Sequence, residues 1–394
     1  MARCTVELAD IFHAHGPAFR QAHAGHLSVG QLKVMSAIER CRSAALGGHV
    51  VRCQGCEHTE IGYNSCRNRH CPKCQAAVAK RWLAQRDAEL LPVNYFHVVF
   101  TLPGQIADIA YQNKTVLYNL LFKTAARTLL TIGVDKKHLG AQLGMTAVLH
   151  TWGSAMTHHP HLHCIVPGGG LSLDAKRWVS SKRPKFLVPV KVLSMLFRRL
   201  MLQSLRRAHR NGQLKFFAAL AHLDNADAFD QVLQPLKKQK WVVDARAPFA
   251  GPAAVLAYLS RYTHRVAIAN SRLLSFDDER VTFRWKDYRA HQHNRYKTMS
   301  LQTSEFIRRF LIHVLPHGFH RIRHFGLLAN GQRSDNLAKA RALLKVHEPT
   351  AIDPEPSPQQ QPSPLWLTCP ACGQTMRIIE VFQHPLLHRG GAPP

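Results

Sequence analysis

Thr157–Gly170 reads THHPHLHCIVPGGG, and its alternation decides the fold. In an extended chain residues two apart face the same side, so His161 and His163 point together while Leu162 turns into the core. The apolar run that follows continues a strand, and Gly168–Gly170 turn the chain out of it. Just upstream, MTAVLHTWG at Met145–Gly153 reads as the other arm of a hairpin. Two imidazoles on one strand face can chelate a divalent ion. The spacing alone is weak, because 26 His should give roughly two such pairs by chance. His13/His15, His159/His161 and His291/His293 indeed share it, but only His161/His163 combines an apolar middle residue with an apolar strand and a glycine turn.

Outward from the hairpin, YFHVVFTLP at Tyr95–Pro103 reads as a strand closed by proline, followed by a helical stretch from about 106 to 131. Downstream come a basic helix from about 190 to 210, a strand near KWVVDA, a helix through Tyr258 and Tyr262, and a basic hairpin containing RVTFRWKDY. Strands and helices interleave, which gives an α+β or α/β core. Residues 1 to about 45 read as helical, with Leu8, Ile11 and Phe12 and then Leu32, Val34, Met35 and Ile38 at helical spacing. The domain boundaries expected are a helical and zinc-binding unit over 1–90, a core over 91–345, a Pro/Gln-rich linker over 346–364 and a small module over 365–394.

The chain has 394 residues, with 52 Lys and Arg against 24 Asp and Glu, a formal charge of +28. Such an excess needs a polyanion, and nucleic acid fits best, because each cation that meets a phosphate releases condensed counterions. A membrane surface is disfavoured, since the basic residues do not line one amphipathic helix beside an apolar anchor. No apolar stretch is long enough to span a bilayer and the N-terminus lacks an apolar signal core, so a cytoplasmic location is expected. In a reducing compartment 10 Cys, mostly in C-x-x-C pairs, point to Zn2+ rather than disulfides.

Cys53-x-x-Cys56 and Cys71-x-x-Cys74 lie fourteen residues apart, a spacing that suits two knuckles converging on one tetrahedral zinc. Cys66 and His70 fall in the same stretch and are alternative ligands. Arg67, Arg69 and Lys73 on this metal-fixed loop are candidates for phosphate contact. At the other end Cys369-x-x-Cys372 is followed by His384-x-x-x-His388, close to Cys2His2 spacing, which reads as a second, structural zinc module.

Tyr258-x-x-x-Tyr262 would set two phenols on one helix face, with Arg261 and Arg265 beside them for phosphate. An aromatic pair at helical spacing is ordinarily core packing. In the strand Val281–Tyr288, Val281, Phe283 and Trp285 alternate with Thr282, Arg284 and Lys286, so Arg284 and Lys286 are candidates to line a DNA channel. The stretch HGFHRIRHFG at His317–Gly326 is likewise basic and aromatic.

HPHLH followed by YLSRY resembles the HUH nucleases. Together with YNSCRNRHCPKCQ, HVVFTLP, LHTWG and YLSRYTHRVAIAN, these motifs resemble two-tyrosine insertion-sequence transposases of the rolling-circle type that carry an N-terminal zinc-binding domain. The resemblance covers most of residues 30 to 325. It implies an α+β fold with a central antiparallel sheet, and single-stranded DNA as partner. It also implies Mg2+ or Mn2+ held by His161 and His163 with His264 as candidate third ligand, and Tyr258 and Tyr262 as nucleophiles that form a 5′-phosphotyrosine. A replication initiator or relaxase shares that chemistry. A non-catalytic zinc protein that regulates by binding nucleic acid is the alternative from another class. A zinc hydrolase is disfavoured, because the His segment contains no carboxylate.

Overall fold

The computed structural model describes residues 6–75, 79, 82, 89–181, 187–246, 254–255, 266–287, 296–345 and 368–383. The linker expected over 346–364 lies outside them, as do most residues from 76 to 88.

The centre is a five-stranded sheet of β3 (Tyr95–Thr101), β5 (Gly144–Trp152), β6 (His158–Pro167), β9 (Val243–Arg246) and β13 (Ile322–Gly326). Its order is β13-β5-β6-β3-β9 and every neighbouring pair is antiparallel, so the fold is α+β as expected. Strand β6 is central, and the register sets Val99 and Val148 opposite His163 on either side. Residues directly opposite share a face. One face therefore carries Phe96, Val98, Phe100, Ala147, Leu149, Leu162 and Cys164, all buried in the main core. Two 21-residue helices cover it: α4 (Lys114–Val134) and α5 (Val190–Arg210). Phe100 and Phe197, with ring centroids 4.9 Å apart, join sheet to helix. A break at Asn113 separates α4 from the short α3 (Ala107–Gln112), so the single helix expected from about 106 is two. The opposite face of the sheet is where the histidines stand.

A second core joins the N-terminal region to the later part of the chain. Helices α1 (Leu8–Ala22) and α2 (Val29–Glu39) contribute Leu8, Phe12, Met35 and Ile38, with α2 started by a Ser28–Gln31 capping box. They pack on Val281, Phe283, Phe306 and Phe310, supplied by a sheet of β10 (Leu273–Phe276), β11 (Arg280–Lys286) and β12 (Tyr296–Gln302) and by α7 (Thr303–Leu311). Met156, in the turn between β5 and β6, is fully buried in this core, so the hairpin is anchored at its tip.

A third sheet has the order β14-β1-β2, from β1 (Gly48–Cys53), β2 (Thr59–Tyr63) and β14 (Met376–Phe382). The described part of the C-terminal segment thus shares a sheet with the N-terminal one, Gly48 facing Phe382 and Cys53 facing Met376. Among the described residues its core consists of Val51, Cys53, Cys369 and Met376. Among the described residues no helix is long and apolar enough to cross a membrane.

Candidate active site and metal centres

His161 and His163 project from β6 on one face, as the alternation requires, and β5 brings His150 directly opposite His161. One nitrogen from each of the three rings lies within 4.8 Å of the others, and no carboxylate joins the group among the described residues. His150 is 3% exposed and His163 9% exposed. Trp152 stacks on the His150 ring, centroids 4.7 Å apart and 15° from parallel.

The hydrogen bonds fix which nitrogens face inward. His161 Nδ1 donates to the His159 carbonyl at 2.7 Å, which leaves its Nε2 with a free lone pair toward the site. His163 Nδ1 shares a 2.8 Å hydrogen bond with Nε2 of His97, a buried residue of β3. The two Nε2 atoms of His161 and His163 then meet at 3.1 Å. Burial lowers the His161 pKa to about 4, so that imidazole is neutral at physiological pH, the form that binds a cation. Two imidazoles whose Nδ1 atoms are bonded outward and whose Nε2 atoms converge, with a nitrogen of His150 close by, fit a divalent cation.

Next to the trio on this same face, Tyr95 and Ile165 bury Val255, with Trp82, Leu90 and Val93 packed around it. Tyr258, Arg261, Tyr262, His264 and Arg265 lie outside the described residues, as do His384 and His388.

The cysteines group differently from the expected pairing. Cys53, Cys56, Cys71 and Cys74 do not converge on one point: Cys53 and Cys56 meet Cys369 and Cys372, whereas Cys71 and Cys74 meet Cys41 and Cys66. The cause is topological, because pairing of β14 along β1 delivers the C-terminal knuckle to the end of β1. In the second group Sγ of Cys74 lies 3.5 Å from Cys41 and 3.6 Å from Cys66. His70 is no part of that group. Its Nε2 accepts from the Leu315 amide at 3.5 Å, and burial beside Arg69 and Arg321 lowers its pKa to about 3. Within each group the thiols hold one another apart: the Cys66 thiol keeps Cys41 far below the ordinary thiol range while Cys66 is itself pushed up to about 12, and the Gly55 amide holds Cys53 at about 6 while Cys372 is pushed up to about 12. Spacing does not find Cys41, which stands alone after α2. His150 had a signal, since aligning the two hairpin arms sets it opposite His161.

The candidate phosphate contacts divide. Arg67 is exposed, but Arg69 donates to the Phe319 and Pro316 carbonyls and Lys73 pairs with Glu7. Arg284 is exposed opposite buried Val281 and Phe283, as the alternation predicts, and Lys286 stands over the Tyr296 ring. In the basic stretch before Gly326, Arg321 bonds Gln75 and Arg323 lies over the Phe122 and Phe319 rings, so these two cations serve packing.

Residues 144–336 match a family described as "Putative transposase", and residues 11–102 match a "Transposase zinc-binding domain". The chain is 53% identical over 389 residues, 97% of each chain, to "Putative transposase y4qJ" of Sinorhizobium fredii (strain NBRC 101917 / NGR234). It is 26% identical over 344 residues, 87% of this chain and 81% of the relative, to "Transposase for insertion sequence element IS801" of Pseudomonas savastanoi pv. phaseolicola. No solved structure gives a significant match. With the zinc-binding domain and the catalytic family both matched along one chain, this protein belongs to the two-tyrosine, rolling-circle-type insertion-sequence transposases that carry an N-terminal zinc-binding domain, enzymes whose partner is DNA.

Proposed function

We propose that this transposase nicks and rejoins single-stranded DNA at element ends through a 5′-phosphotyrosine intermediate, with Mg2+ or Mn2+ held by His150, His161 and His163. The observation that carries the proposal is the 3.1 Å meeting of two imidazole Nε2 atoms whose Nδ1 atoms are bonded elsewhere. His150 supplies the third donor. Tyr258 and Tyr262 follow Val255 by three and seven residues, so on the helix expected there all three share one face. Val255 packs with Ile165, two residues along β6 from His163, which supports a phenol within reach of a phosphate bound at the trio.

When bound, the cation would polarise the scissile phosphate. The chain's own residues do the rest. A Tyr258 or Tyr262 phenolate attacks phosphorus, the bond to the 3′-oxygen breaks, and that oxygen leaves as a 3′-hydroxyl on taking up a proton. The phosphotyrosine ester retains the bond energy, so a later 3′-hydroxyl can attack it and release the phenol without ATP. Two phenols allow donor and target strands to be held at once. Arg261 and Arg265 are proposed to hold the phosphates, with Arg67, Arg284 and Lys286 tracking the backbone.

The test is a denaturing gel of protein incubated with single-stranded element ends and Mn2+. A protein–DNA adduct that survives denaturation is expected, lost in Tyr258→Phe/Tyr262→Phe and in His161→Ala/His163→Ala. No adduct from the unaltered protein, or an adduct that persists without both phenols, would overturn the reading.

A further inference from the structure

We infer that Cys53, Cys56, Cys369 and Cys372 hold a single zinc ion that latches the C-terminal segment onto the N-terminal zinc-binding domain. The family match to that domain stops at residue 102, so it does not include the second pair. Cys53 Sγ lies 3.4 Å from Cys372 Sγ, and Cys56 Sγ lies 3.6 Å from Cys369 Sγ. A disulfide needs about 2.05 Å, whereas a tetrahedron of Zn–S bonds near 2.3 Å sets its sulfurs about 3.8 Å apart. The four sulfurs are therefore spaced for a shared ion.

The two halves are also built alike. In each, C-x-x-C is followed by a residue with positive φ, Glu57 at 59° and Gly373 at 74°, the sharp turn that brings both sulfurs of a knuckle to one side. Each knuckle closes a strand pair, through the Cys53 amide to the His58 carbonyl and the Cys369 amide to the Gln374 carbonyl. The Gln54 amide reaches the Thr375 carbonyl at 3.1 Å and stitches one knuckle to the other.

The energetics require the metal. Among the described residues four form the core here, far too little to hold three strands together. The strand faces are mostly exposed, with Ile378, Ile379 and Val381 all about half or more uncovered. Metal binding then supplies folding free energy that apolar burial does not. Residues 56 and 369 are 313 positions apart, so the ion closes a very long loop and restricts the unfolded chain accordingly.

The experiment counts zinc after dialysis against a weak chelator. The unaltered chain should retain two ions, one per tetracysteine group. Cys53→Ser/Cys56→Ser should retain one, Cys369→Ser/Cys372→Ser should also retain one, and the quadruple variant should still retain one. If Cys53 and Cys56 instead shared an ion with Cys71 and Cys74, the quadruple variant would retain none, and that result overturns the inference. Because a variant can fail to fold, the second measurement uses the natural cysteines. A protease site is inserted in the Pro/Gln-rich 346–364 stretch, the zinc-loaded protein is cut, and it is passed over a sizing column. The C-terminal piece should stay with the body and come free when a strong chelator is added. Separation while zinc is still bound contradicts the latch.

Discussion

Replacing His97 with Phe tests whether the histidine trio is oriented from outside. His97 is 2% exposed and stacks on His163, ring centroids 5.0 Å apart and 10° from parallel. Phe preserves ring and volume but deletes the 2.8 Å hydrogen bond to His163 Nδ1. Outer-shell partners of a metal-bound imidazole typically contribute 10- to 100-fold in affinity. The Mn2+ concentration that gives half-maximal adduct should therefore rise by about 10- to 100-fold, or about 1.4 to 2.7 kcal/mol. Because the ligands themselves remain, saturating Mn2+ should restore most of the adduct. The buried nitrogen left without this partner should also lower unfolding stability by about 1–3 kcal/mol, read by denaturant titration. An unchanged Mn2+ dependence would refute the orienting role, and so would a loss that no Mn2+ concentration repairs, since that points to a collapsed site.

Three further outcomes follow from the same geometry. Among the described residues the site offers three imidazoles and no carboxylate, and Mg2+ prefers oxygen ligands more strictly than Mn2+ does, so adduct formation should need less Mn2+ than Mg2+; equal requirements would argue for a carboxylate ligand. Arg67→Ala should reduce the salt slope of DNA affinity by about 1, whereas Arg69→Ala should leave the slope unchanged and lower stability, because its guanidinium already serves two carbonyls. Glu305, between Arg308 and Arg309, has its pKa held down to about 2 from 4.5, chiefly by the hydrogen bond from Arg308. A depressed carboxylate stabilises above its unfolded pKa and loses that stability as pH falls toward its folded value. Acid titration between about pH 4.5 and 2 should then cost on the order of 1 kcal/mol after solvent screening, and Glu305→Gln should flatten that part of the stability curve.

Period-two alternation carried the hairpin and the shared side of His161 and His163, because a strand forces that geometry locally. The third histidine of the trio is not local in sequence. His150 enters through strand register, which the pattern of either arm alone does not encode. The cysteine grouping misled for the opposite reason, since two C-x-x-C pairs close in sequence invite a common ion. Pairing of β14 with β1 then exchanges the partners over 313 positions, which no local spacing encodes. Basic residues were similarly ambiguous: Arg69, Arg321 and Arg323 belong to the excess of positive charge, yet carbonyls, an amide and aromatic rings occupy them.

Mapping the covalent adduct identifies which residue becomes joined to DNA. Trypsin cuts after Arg246, Arg261 and Arg265, so Tyr258 and Tyr262 fall in different peptides, residues 247–261 and 262–265. After nuclease trimming, mass spectrometry should find a nucleotide joined through its 5′-phosphate to one of these two peptides, and the signal should vanish in His161→Ala/His163→Ala. A nucleotide on any other peptide, or a linkage through a 3′-phosphate, would contradict the account.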